Sequence, residues 1–189
     1  MPDFKKDIQC CKETLQSGGV ILYPTDTIWG IGCDATNNSA VDKIFKIKKR
    51  PSKKTMILLV DSEEMVRQYV STENNKLLNY LTETKVPTTG IFADAKNLPE
   101  SLIHEDGTIA IRITSDLFCK ELINQIGKPI VSTSANLSGN TSAAHFTEID
   151  PVIKNSVDYI VHHRRDDYKK AMPSRIVRLD KNNEIIYLR

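Results

Sequence analysis

Four short stretches of this sequence carry residue types and spacings suited to chemistry. The densest is Lys46 to Lys54, which holds Lys46, Lys48, Lys49, Arg50, Lys53 and Lys54 with no acid between Asp42 and Asp61. Six cations in nine residues repel one another unless they are solvated or neutralised by an anion. A solvated helix C-terminus, where the helix dipole favours cations, accounts for them equally well when they are taken alone. Pro51 adds weight to the anion reading, because it stops a helix and fixes the chain just after Arg50. Lys48 and Arg50 then stand at an element boundary, a usual place for phosphate ligands.

The second stretch is Ser132-Thr133-Ser134-Ala135-Asn136, which follows an apolar run from Ile130. Hydroxyls and an amide at the carboxyl end of a strand suit a nucleotide or an amino acid, although alone they read first as a polar turn. In the third, Thr108 and Arg112 share one face of a strand whose other face is Ile109, Ile111 and Ile113. That separates hydroxyl from guanidinium by a trough of roughly 13 Å, and the arginine either meets water or binds an anion. The fourth, Tyr23-Pro24-Thr25-Asp26-Thr27-Ile28-Trp29-Gly30, either receives a small polar ligand or is a capped turn with Trp29 in the core. The sequence has no G-x-x-x-x-G-K-[ST], no G-x-S-x-G and no clustered Cys/His site. Phosphoryl handling without such a loop must use side-chain cations.

The elements that must position these residues follow from periodicity. Phe4, Ile8, Cys11 and Leu15 fall at helical spacing, and Gly18-Gly19 ends that helix. A buried strand is expected over Val20–Tyr23, followed by a loop through Gly32. A helix carries Val41, Ile44 and Phe45 with Asn38 or Ser39 as its cap, and Asp61 with Glu64 opens another. Strands are expected over 56–60, 90–93, 108–113, 130–134, 159–161, 175–179 and 184–188, with a helix over Asp116–Ile126. Alternation of strands and helices gives an α/β fold with a mixed sheet.

At 189 residues the chain reads as one domain, residues 1–189. Hydrophobic residues at 40% and charged ones at 26% are ordinary globular values and exclude disorder and coiled coil. A net charge of +2 means that any nucleic-acid or phosphate binding comes from local clustering. The four cysteines show no C-x-x-C spacing, which fits a reduced compartment. No apolar run approaches about 18 residues, and Asp3, Lys5, Lys6 and Asp7 stand where a signal peptide would be apolar. The expected location is cytoplasmic, with no membrane.

In order along the chain, Tyr-Pro-Thr-Asp-Thr-x-Trp-Gly, Lys48-Lys49-Arg50-Pro51, Gly107-Thr108-x-Ala110-x-Arg112 and Ser132-Thr133-Ser134-Ala135-Asn136-Leu137-Ser138-Gly139 resemble the YrdC/Sua5 family of L-threonylcarbamoyladenylate synthases. The resemblance runs from Gly18 to Arg189, and the length is similar to the short, single-domain form. It implies a YrdC-like twisted, mixed, mainly parallel open sheet with flanking helices and a concave basic face. It also implies formation of threonylcarbamoyl-AMP and pyrophosphate from L-threonine, bicarbonate or CO2, and ATP with Mg²⁺. The product would pass to the machinery that installs N6-threonylcarbamoyladenosine in tRNA.

Carried over by position, the resemblance makes Lys48 and Arg50 catalytic, with Lys48 also near the nucleotide. It gives Thr27, Lys54, Arg112 and Ser174 to threonine and carbamate, and Thr108, Ser134, Asn136 and Arg189 to the nucleotide. No protein side chain is implied as a metal ligand. The alternatives are a double-stranded RNA or tRNA-binding protein that uses the same cations, and a non-synthetase paralogue, since Arg175 stands where the family often carries threonine. Carbamoyl-adenylating chemistry of the hydrogenase-maturation type is disfavoured, because the flanking segments it needs are absent from this sequence.

Overall fold

The structure is a computed structural model that describes residues 4–49, 56–71, 75–169 and 172–189. In chain order the elements are α1 (Lys5–Gln16), β1 (Ile21–Tyr23), β2 (Gly30–Gly32), α2 (Asn38–Ile47), β3 (Ile57–Val60), α3 (Glu63–Tyr69), α4 (Asn75–Glu83) and β4 (Thr88–Phe92). They continue with β5 (Ile109–Ile113), α5 (Leu117–Ile126), β6 (Ile130–Ser134), α6 (Pro151–Lys154), β7 (Tyr159–Ile160), β8 (Arg175–Leu179) and β9 (Ile185–Tyr187). Nine strands form one sheet in the order β7-β1-β2-β6-β3-β5-β4-β8-β9.

The sheet is mixed, as expected, but it is not mainly parallel. Among the described strands only β1/β7, β3/β5 and β4/β8 run parallel, while the other five neighbouring pairs are antiparallel. Alternation of helix and strand in the sequence says which elements follow one another. It does not say which strands become neighbours, and here β6 inserts between β2 and β3.

β2 itself differs from the loop expected there. Its glycines make the segment look like a turn, yet they are what lets it pair. A Cβ on Gly32 would stand 2.6 Å from the Val131 carbonyl oxygen and 2.7 Å from the Tyr23 ring, so only a hydrogen fits between β1 and β6.

The helix starts follow capping chemistry. Asn37 accepts from the amide of Ala40 at 3.1 Å, one residue ahead of the expected Asn38 or Ser39. Ser62, rather than Asp61, accepts from Met65 at 3.3 Å. Asp116 accepts from Cys119 at 3.0 Å, and Gly127 closes α5 in the left-handed region at φ 65°. α2 ends at Ile47 with Lys48 as its cap, the boundary that the sequence suggested.

Asp7 on α1 holds the segment after β7. Its carboxylate accepts from the Tyr159 hydroxyl at 2.6 Å and from the amides of His162 and His163 at 3.0 and 2.8 Å. Burial opposes its ionisation, but these donors prevail and keep the carboxyl below its ordinary value. A depressed folded-state value means stability that is present above the unfolded-state pKa and lost as pH falls through the folded one. Asp7→Asn is expected to lower the free energy of unfolding by about 1–3 kcal/mol at neutral pH, with the gap to wild type narrowing in acid. Urea titrations at neutral and acid pH test this, and equal stabilities at neutral pH would contradict it.

Candidate active site

The loop after β1 folds on its own hydroxyls. Thr25 donates its hydroxyl to the Ile28 carbonyl at 2.8 Å and accepts the amide of Thr27 at 3.0 Å, and the two threonine hydroxyls are 2.9 Å apart. This turn presents Thr27 to β5, where Arg112 donates to the Thr27 hydroxyl at 3.0 Å through Nη1. Nη2 of the same guanidinium pairs with Asp26 at 3.2 Å. Arg112 is only 3% exposed, and its Nε–H is buried without an acceptor. A fork with Nη1 and Nη2 engaged and Nε–H left over suits an anionic ligand group.

The floor comes from strand register. Ser132, Ile57, Ala110 and Ile91 stand side by side across β6, β3, β5 and β4, a row of small and aliphatic side chains. On the far side β8 runs parallel to β4, which sets the Ser174 hydroxyl 2.8 Å from that of Thr89. The terminal Arg189 donates from Nε and Nη2 to the Ser174 carbonyl at 3.2 and 3.1 Å. These walls enclose a cavity of about 260 Å³.

Of the residues expected at a site, Thr27, Arg112, Ser134, Ser174 and Arg189 all line that cavity. Thr108 does share the cavity-side face of β5 with Ala110 but lies in a neighbouring depression of about 350 Å³ with His104, Asp106 and Arg178. There its hydroxyl donates to Asp106 at 2.7 Å. The two hollows meet at Ile91 and Ala110, which line both. Arg50 and Lys54 lie outside the described residues.

Lys48 is placed behind the site. Its side chain is 1% exposed, and Nζ donates to the carbonyl oxygens of Ser134 and Asn136. The Asn136 side-chain oxygen is 3.5 Å away, and the Lys48 carbonyl accepts from the amide of Ser138 at 3.0 Å. Asn136 donates its amide to the Leu137 carbonyl at 3.1 Å and to that of Asn140. An ammonium among backbone oxygens thus ties α2 to the polar loop after β6.

Other lining residues are less legible. Thr25, Ser132 and Thr133 lie inside the stretches singled out above, Thr89 lies in a segment, 86–92, that only loosely follows the family's Gly-Pro-x-Thr pattern, and Ser142 carries no signal. Burial pushes Tyr23 and Cys119 well above their ordinary values, so both stay neutral beneath the loop.

The Sua5/YciO/YrdC family profile, described as telomere recombination, matches residues 13–189. The chain belongs to this family. Its relatives include the threonylcarbamoyl-AMP synthase of Pseudoalteromonas translucida, 36% identical over 150 residues that make up 78% of this chain and 80% of that one. The Coxiella burnetii threonylcarbamoyl-AMP synthase is 32% identical over 186 residues, 95% of this chain and all of that one. Within the Sua5/YciO/YrdC family the fold matches Escherichia coli YciO with a TM-score of 0.83 at 26% identity, covering 97% of this chain and 88% of that one. It also matches Pyrococcus abyssi Sua5 complexed with L-threonine, with a TM-score of 0.85 at 20% identity over 97% of this chain and 54% of that one. The family thus accounts for a YrdC-like α/β fold with a mixed open sheet and, among the described residues, six α-helices.

Proposed function

We propose that this protein is a threonylcarbamoyl-AMP synthase, a nucleotidyltransferase that serves N6-threonylcarbamoyladenosine formation in tRNA. The observation that carries the reading is the buried Arg112 fork, with one donor unpaired, at a cavity lined by hydroxyls. Synthases among the relatives supply the reaction, and the threonine complex of Pyrococcus abyssi Sua5 supplies the amino acid. The nine strands of one sheet support treating residues 1–189 as one YrdC-like domain.

The chemical task is to join two anions. The threonine nitrogen bonds to the carbon of CO2 and loses a proton, giving a carbamate; from bicarbonate the same bond forms as a C–O bond breaks and the hydroxyl leaves as water. A carbamate oxygen then attacks the α-phosphorus of ATP in line, and the bond to the β-phosphate oxygen breaks to release pyrophosphate. In this reading the Arg112 fork takes the carboxylate or carbamate, with Thr27 and Ser174 orienting threonine. Ser134, Asn136 and Arg189 take the nucleotide, which reaches Thr108 over the Ala110 saddle. Lys48 shapes the Ser134–Asn136 loop, while Arg50 and Lys54 are assigned to phosphate and carbamate oxygens from their sequence positions. Fixed cations in a hollow offset the repulsion between the reactants and hold them in reach.

Mg²⁺ arrives with ATP as part of that substrate. Among the described residues no three His, Cys, Asp or Glu side chains stand together to hold a metal, and Asp26 beside the cavity is paired with Arg112. In this reading the phosphate oxygens of ATP would hold the ion, and no protein side chain is assigned to it. The product is a mixed anhydride open to attack by water, so it passes directly to a tRNA-modifying transferase. A tRNA or double-stranded RNA contact at that handover would use exposed cations, since Arg112 and Lys48 are buried. Free cysteines at positions 10, 11, 33 and 119 support a cytoplasmic setting, and among the described residues no helix is long and apolar enough to cross a membrane.

Pyrophosphate release from ATP and bicarbonate with threonine, serine or no amino acid, and no RNA, tests the reading. It predicts release that needs an amino acid and prefers threonine; release that is indifferent to the amino acid, or that needs RNA, would overturn it. Thr27→Val removes one hydroxyl contact and should raise the KM for threonine by about tenfold while leaving that for ATP nearly unchanged. Equal rises for both substrates would argue against Thr27 as a threonine contact.

A further inference from the structure

The segment that leaves β7 crosses back under the threonine loop, and every link in it is anchored. Asp7 holds the amides of His162 and His163. The His163 ring sits 5.1 Å from Phe4 and 5.8 Å from Phe118, which docks it between α1 and α5. Arg165 folds back onto the Val161 and Ile160 carbonyls. Between them Arg164 adopts a left-handed backbone with φ 67°, a conformation that costs a non-glycine residue of order 1 kcal/mol or more and persists where surroundings enforce it.

That conformation aims the Arg164 guanidinium at two hydrogen-bond acceptors, with the Asp167 carboxylate 3.5 Å from its Nε as a third, looser partner. Nη2 donates to the Thr25 carbonyl at 3.0 Å and Nη1 to Asp116 at 2.7 Å. Asp116 uses its other oxygen to cap α5, so it is itself fixed. Thr25 in turn accepts the Thr27 amide and touches the Thr27 hydroxyl, on which Arg112 rests. Arg164 therefore grips the back of the turn whose front faces the cavity.

We propose that Arg164 is a positioning residue for the threonine subsite: by bridging the Thr25 carbonyl and Asp116 it fixes the turn that sets Thr27 against Arg112. The proposal rests on the reading of Thr27 and Arg112 as threonine contacts. It predicts a selective effect, because Lys48 holds the Ser134 and Asn136 carbonyls and the Ser174 carbonyl holds Arg189, although Ala135 also bonds to the Trp29 carbonyl just after the turn. Loosening a contact by even a fraction of an ångström weakens the ligand group it orients without touching distant ones.

Two measurements test it on the full chain. In steady-state pyrophosphate release, Arg164→Ala should raise the threonine KM by roughly tenfold and the ATP KM less than about twofold. Arg164→Lys should recover part of the loss, since one ammonium reaches one of the two acceptors. A side chain needed only for folding would lower the active fraction and kcat alike and leave the threonine KM in place. Without any substrate, amide hydrogen exchange followed by NMR reports on the turn directly. The Thr27 amide of Arg164→Ala should exchange about tenfold faster than in wild type, while that of Val131, bonded to Cys33 at 2.9 Å within the sheet, stays unchanged.

Unaltered exchange at Thr27, or an unaltered threonine KM in an active Arg164→Ala enzyme, would overturn the proposal alone. Wild-type enzyme lacking threonine-dependent turnover would instead overturn the functional reading and take the threonine assignment with it; exchange at Thr27 would still report whether Arg164 sets the turn.

Discussion

Arg112→Lys is expected to lower threonine-dependent pyrophosphate release by about 10²-fold or more. Lysine keeps the charge, and with it a partner for Asp26, which is 3.2 Å from the arginine. What it loses is the planar fork, which serves Asp26 and Thr27 together and still has Nε–H to offer. Arg112→Ala should cost more, because it also strands a buried carboxylate; removing one partner of a buried pair costs about 3–5 kcal/mol. The informative comparison is kcat/KM for the lysine variant beside its unfolding curve. A stable, inactive lysine variant agrees with a ligand-facing guanidinium. A lysine variant with near-normal turnover would mean that Arg112 serves the fold alone.

Lys48→Met should remove both activity and stability. Methionine fills much of the same volume but offers no donor to the Ser134 and Asn136 carbonyls that the ammonium serves. Leaving buried acceptors without their charged donor should cost about 3 kcal/mol and release the loop that carries Ser134 and Asn136. Urea unfolding and pyrophosphate release on the same preparation check this. A variant that loses turnover yet unfolds like wild type would place Lys48 on the substrate instead of on the loop.

How far the sequence reaches is visible in particular residues. Alternation alone put Arg112 opposite the isoleucines of its strand, because period-two burial is a strong signal on a half-buried face. The hydroxyls of Thr27, Ser134 and Ser174 and the guanidinium of Arg189 were assigned by the family pattern, and the fold gathers them from four distant stretches into one cavity. Thr108 was assigned with them, yet its hydroxyl is spent on Asp106, since a turn two residues long competes for it. β2 was hidden because Gly30 and Gly32 read as turn residues, although the close approach of Val131 and Tyr23 demands them. The resemblance implies a mainly parallel sheet, yet β1/β2, β4/β5 and β8/β9 pair antiparallel, and so does β6 where it joins β2 and β3 from far along the chain. Arg164 gave no signal at all: its bond to the Thr25 carbonyl spans 139 positions, and one of two adjacent arginines in a polar run looks like any solvated cation.

One experiment bears most directly on whether this hollow holds an amino acid beside a nucleotide: a crystal structure of the protein with L-threonine and a non-hydrolysable ATP analogue. The account predicts the threonine carboxylate at the Arg112 guanidinium, its amine facing the α-phosphate, and the nucleotide along Ser134, Asn136 and Arg189. Threonine bound away from Arg112, or the two ligands seated in hollows too far apart to react, would contradict it.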